Sequence, residues 1–127
     1  MLKHLNIFDV RSEQEILVVS PKVDAGSFRY HELHREANSV RDLLTRPDVR
    51  HLVLNLSRLE YFGSEFIGSL VSMAREIRNR RGQALICAAN PTMLDVLKNM
   101  SLFKLWPYFE TEDEAIAHLR SADDEAQ

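Results

Sequence analysis

"LNLSRLEYFGSEFIGSL", residues Leu54 to Leu70, decides the fold. It opens as an apolar run, crosses a short loop that contains Gly63, and resumes with Ile67 and Leu70 at helical spacing. A buried strand leading directly into an amphipathic helix is half of a β-α-β unit. At the junction, Gly63-Ser64-Glu65 sets a hydroxyl where the helix begins. A serine there caps the helix, its Oγ accepting a hydrogen bond from a backbone N–H that lacks an intrahelical partner. The capping-box partner is missing, since Ile67 stands three residues on. The same geometry also suits a phosphate on Ser64, because a helix N-terminus offers N–H groups and partial positive charge. Glu65 would repel that phosphate while already supplying part of its charge.

Working upstream, "LNIFDV" and "EILVVSP" flank the polar "RSEQ" and read as a β-hairpin. In "SFRYHELHREANSVRDLLTRP", Leu33, Ala37, Val40 and Leu44 recur at spacings of four, three and four, as in an amphipathic helix that Pro47 ends. "VRHLVLNLS" is an interior strand. Downstream, Ile67, Leu70, Val71, Ala74 and Ile77 form a helical stripe stopped by Gly82 at a C-cap. "QALICAA" is the next buried strand, and Asn90-Pro91 opens a helix whose apolar face is Leu94 and Leu97 with Met100 or Leu102. "FKLWPYF" fits an edge strand, because Pro107 cannot donate to a ladder. "TEDEAIAHL" closes the chain as a short helix capped by Thr111, with an acidic first turn that suits the dipole. The order predicts one α/β domain over residues 1–120, with a mixed, mostly parallel sheet and about four helices. Residues 121–127, "SADDEAQ", are expected to form a disordered acidic tail.

The totals narrow the function. The 127 residues suit a single core, with 45% hydrophobic and 28% charged side chains. Sixteen basic against nineteen acidic residues give a formal charge of −3, which disfavours direct nucleic-acid or anionic-membrane binding. The local cluster "REIRNRR", Arg75 to Arg81, is interrupted by glutamate and reads as a solvated helix face. Cys87 is the sole cysteine, so no internal disulfide forms, and its place in "ALICAA" marks a buried thiol. The N-terminus turns polar too early for a signal peptide, and no apolar run approaches the roughly 20 residues that span a bilayer. A cytoplasmic location is expected.

Catalytic motifs fail one by one. In "HELH" the histidines His31 and His34 are three apart, whereas the zinc-hydrolase helix needs them four apart. Four glycines are too few and too scattered for a dinucleotide fingerprint or a P-loop. In "GSEFIG" the second glycine falls too late for a nucleophile elbow. No nucleophile, base and oxyanion donor can be assembled, so neither catalysis, metal nor cofactor is expected. A binding module is the better description.

From Val53 to about Leu119 the sequence resembles the STAS domain, and in particular the bacterial anti-sigma factor antagonists. The likeness lies in "LNLS", "LEYF" and "GSEFIG", and continues through "RNRRGQALICAANPTMLDVLKNMSLFKLWPYFETEDEAIAHL". The resemblance implies a partner-switching protein that binds an anti-sigma factor with serine-protein kinase activity. It implies Ser64 as the phosphoacceptor, with phosphorylation ending the association and a phosphatase restoring it. Asn55, Gly63, Ser64, Glu65 and Phe66 then form the partner-binding positions. Four of these depart from the family pattern: Asn55 and Gly63 stand where aspartates are usual, Glu65 replaces a second hydroxyl residue, and Phe66 replaces glycine. Phe66 is either an exposed anchor or a core residue. The alternative function is a STAS scaffold in a signalling or transport-linked complex, without phosphorylation.

Overall fold

The computed structural model describes residues 5–22, 30–60, 64–101 and 106–126, and for residues 30, 64 and 122–126 the backbone alone. It begins with the expected hairpin, strand β1 (Phe8–Glu13) antiparallel to β2 (Ile16–Pro21). The first strand is shifted by three residues toward the turn from the run that the sequence pattern indicates. Arg11, Ser12 and Glu13 belong to β1, and Glu13 pairs with Ile16 across a two-residue turn. Gln14 takes φ 57°, the left-handed value that the first position of such a turn requires. Polar residues are tolerated because β1 is an edge strand.

Three parallel strands follow: β3 (His51–Asn55), β4 (Ala84–Cys87) and β5 (Tyr108–Phe109). Together they make a five-stranded sheet in the order β1-β2-β3-β4-β5, with β1 alone running antiparallel to its neighbour. Pro107 precedes β5 as expected of an edge, and its carbonyl accepts the Ile86 N–H at 3.1 Å. Three helices fill the connections, α1 (Tyr30–Leu44), α2 (Ser64–Asn79) and α3 (Pro91–Asn99), and α4 (Glu112–Ala126) follows β5.

The period of two along each strand sorts the core into two layers. Leu17, Val19, Leu52, Leu54 and Ile86 face α1, α2 and α3, together with the predicted α1 stripe of Leu33, Ala37, Val40 and Leu44. Ile16, Val18, Val53, Leu85 and Cys87 point the other way, against Ala115, Ile116 and Leu119 of α4. Burying each such side chain contributes about 1.5–3 kcal/mol, so both faces hold the sheet. Trp106, the sole tryptophan, is fully enclosed in the layer under α1–α3.

Three helices differ in detail from the pattern reading. At the end of α2 the left-handed residue is Arg81, at φ 67°, not Gly82. The N–H groups of Arg81 and Gly82 donate to Arg78 O at 3.0 Å and Ile77 O at 2.9 Å, which is the Schellman arrangement. Gly82 is needed one position later for space, since a Cβ there would overlap the Arg50 carbonyl oxygen. In α3 the buried residues are Met93 and Leu97, with Val96 packed alongside, and Met100 is 48% exposed. Leu94 is half-buried, so the face is shifted by one residue toward Met93, which lies one turn before the shared Leu97. Leu102 lies outside the described residues. Finally, α4 runs to Ala126, through residues expected to form a tail. No glycine or proline interrupts "AIAHLRSADDEA", so nothing stops the helix.

Candidate functional site at the β3–α2 junction

β3 ends at Asn55, and the chain leaves the sheet through Leu56 to Glu60 before α2 begins at Ser64. This stretch is held at both sides and from beneath. Leu56 and Leu59 are buried, and the Leu59 N–H closes a turn onto Leu56 O at 3.1 Å. The Leu56 N–H donates to Cys87 O at 3.0 Å, keeping the first loop residue against β4. On the β1 side, Arg58 meets Asp9 at 3.2 Å. On the α3 side, Asn90 Nδ2 donates to Glu60 O at 3.0 Å.

Asn55 is part of this scaffold. Its Oδ1 accepts the Ser57 N–H at 2.9 Å, turning the chain out of the strand. Its Nδ2 donates to Glu112 Oε1 at 3.0 Å, at the first turn of α4. Arg11 reaches the other Glu112 oxygen at 2.6 Å. Burial alone would raise the Glu112 carboxyl, but the hydrogen bonds from Arg11 and Asn55 outweigh it and hold the group below its ordinary value. Beneath this cluster Cys87 is fully enclosed; desolvation, with a smaller push from the Glu112 charge, drives its thiol up to about 12. It is an inert structural thiol.

The five candidate residues therefore separate. Ser64 is itself the first helical residue of α2, so its N–H belongs to the turn that has no intrahelical acceptor; its side chain, like Gly63, lies outside the described residues. Glu65 is exposed in that first turn. Phe66 is not an exposed anchor: it is 1% exposed and its ring lies 5.7 Å from that of Phe8, centroid to centroid. Consecutive positions on a helix point about 100° apart, which sends Glu65 out and Phe66 in. Asn55 points toward α4 and braces the loop from behind.

Beside Glu65, a shallow groove of about 260 Å³ runs between α1 and α2, lined by His34, Asn38, Arg41, Gly68 and Ser72. Among the described residues no three His, Cys, Asp or Glu side chains converge to hold a metal ion. Nor, among them, is any helix long and apolar enough to cross a membrane. Two side chains that hold the junction escape a reading of the sequence. The Asn90-Pro91 dipeptide signals the helix cap, but nothing local signals that the same amide reaches back to Glu60. Arg58 likewise looks like any loop arginine until β1 is brought beside it.

The chain is a single α/β domain whose candidate residues gather at this strand-loop-helix junction. The profile of the STAS domain matches residues 8–115, and the chain belongs to that family. It is 24% identical over 95 residues to an anti-sigma F factor antagonist from Paenibacillus polymyxa, covering 75% of this chain and 81% of the relative. Its fold superimposes on the anti-sigma factor antagonist SpoIIAA in its unphosphorylated form with a TM-score of 0.74, at 20% identity, over 90% of this chain and 96% of that one. For the Bacillus cell fate determinant SpoIIAA in the phosphorylated form the TM-score is 0.68, at 20% identity, over 87% and 97%.

Proposed function

We propose that this protein is an anti-sigma factor antagonist that works by exchanging partners. The observation carrying the reading is a serine, Ser64, that opens a helix at the end of a tethered loop in a STAS domain. The name of the Paenibacillus polymyxa relative supports the same reading. The surface around the junction, with Gly63, Ser64 and Glu65 at its centre, binds an anti-sigma factor that is also a serine-protein kinase. Asn55 and Phe66 act from behind, one bracing the loop and the other seating α2 on the core. The unmodified protein holds the anti-sigma factor away from its sigma factor.

The kinase ends the association. Ser64 Oγ attacks the γ-phosphorus of ATP, a new O–P bond forms, the bond to the bridging oxygen breaks, ADP leaves, and the serine proton passes to a base of the kinase. The product adds about −1.5 to −2 charge beside Glu65. Helix N–H groups receive that charge with little cost to the fold, so the burden falls on the partner. A phosphatase restores the hydroxyl by hydrolysis. The chain itself catalyses nothing and needs no cofactor, and it meets its kinase in the cytoplasm.

The test compares Ser64→Ala and Ser64→Asp for binding to each serine-kinase anti-sigma factor of the source genome. Ser64→Ala is expected to retain wild-type affinity, and Ser64→Asp to lose about tenfold or more, as a like charge placed in an interface does. Equal affinities would falsify the switch. Mapping phosphate on the tryptic peptide Leu59–Arg75 from growing cells places the modification among Ser64, Ser69 and Ser72.

A further inference from the structure

Asn90 uses both halves of its side-chain amide. Oδ1 accepts the Met93 N–H at 2.9 Å and caps α3. Nδ2 points the other way, to Glu60 O at 3.0 Å and Leu59 O at 3.4 Å, thirty and thirty-one residues back along the chain. Those carbonyls belong to the loop that delivers Ser64 to α2.

Capping alone does not call for an amide. Serine and aspartate cap as well as asparagine, because each offers an acceptor oxygen. What asparagine adds is the donor pair, and that donor is spent on the junction loop. The approach to Asn90 is also unusual. Ala88 sits at φ 61°, in the left-handed region that an alanine side chain disfavours. The conformation is held by the Ala88 N–H donating to Phe109 O at 3.2 Å and by the Tyr108 hydroxyl donating to Ala89 O at 3.4 Å. The left-handed step at Ala88 precedes Asn90, whose amide then spans from α3 to the β3–α2 loop.

We infer that Asn90 is a positioning residue of the junction: its Nδ2 holds the Leu59–Glu60 backbone in the geometry the partner reads around Ser64. The inference rests on the reading of that junction as a partner surface. It also links α3 to the junction, so a partner touching the first turn of α3 acts on the loop through the Asn90 side chain.

Asn90→Ser separates the two roles, since its hydroxyl oxygen keeps the cap while the amide that reaches the Leu59 and Glu60 carbonyls is lost and the shorter O–H cannot span that distance. Hydrogen–deuterium exchange on the intact variant is expected to speed up by about tenfold in residues 56–66, the factor one ordinary hydrogen bond supplies, while the amides of α3 keep their protection. Affinity for the serine-kinase anti-sigma factor that binds wild type is expected to fall by a similar factor, and Asn90→Gln, which retains a donor, to recover part of it. Exchange and affinity both unchanged in Asn90→Ser would overturn the inference. So would faster exchange confined to α3, which would make Asn90 a cap and nothing more. A wild-type protein that binds none of these kinases, beside loop-specific exchange in Asn90→Ser, would instead overturn the partner-surface reading and leave the tether standing.

Discussion

Glu36 is buried on the inner face of α1, yet it is not a stray charge. Its carboxylate accepts N–H groups from Asn6 at 2.9 Å, Ile7 at 2.8 Å and Phe8 at 3.2 Å, so one side chain receives the strand that opens the sheet. Replacing it with alanine leaves at least two buried donors without an acceptor, at a cost of about 2–4 kcal/mol. Urea unfolding of Glu36→Ala is expected to show that loss, and Glu36→Gln, which keeps one acceptor oxygen, a smaller one. Gly82 makes the opposite point about space. Gly82→Ala must push the Arg50 carbonyl aside, and about 1–3 kcal/mol of destabilisation is expected in the same assay. Neither effect is legible from sequence. Glu36 sits between Leu33 and Ala37 in a helix full of charges, and only the return of residues 6–8 to that face gives it donors.

At the scale of elements, α4 is seated by its first turn as much as by its apolar side. Thr111 Oγ1 accepts the Glu114 N–H at 3.1 Å, the cap that the sequence indicates. Glu112 then ties the helix to two strands, through Arg11 of β1 and Asn55 of β3. Because the folded carboxyl titrates below its unfolded value, its contribution is fully present above the unfolded value and is lost as pH falls through the carboxylate range. Glu112→Gln is therefore expected to lower stability at neutral pH and to flatten its decline on acidification, measured by thermal melting across that range. Helix positions were readable because their periodicity is local. The ends of α2 and α4 were not, since they depend on Arg81 turning left-handed and on the absence of any stop after Leu119.

For the whole molecule, the alternation of strands and helices made the architecture legible, and the period of two assigned each strand residue to a face. The junction was legible for the same reason: an apolar strand, a glycine, a serine and a helical stripe lie consecutively in the chain. What sequence could not supply is its support, because Asn55, Arg58 and Asn90 act on residues 30 to 57 positions away. If the switch works on the partner and not on the fold, Ser64→Asp should melt within about 2 °C of wild type, less than the shift that 1 kcal/mol produces in a domain of this size. A drop of several degrees would mean that the added charge disturbs α2 itself.

The position of Trp106 has an optical consequence. It is the sole tryptophan, it is fully enclosed, and its indole N–H has no hydrogen-bond partner among the described residues. Its fluorescence should accordingly be blue-shifted and resistant to soluble quenchers. The chain thus contains a native chromophore that brightens or reddens with the core under α1–α3, so unfolding can be followed without attaching a dye near Ser64.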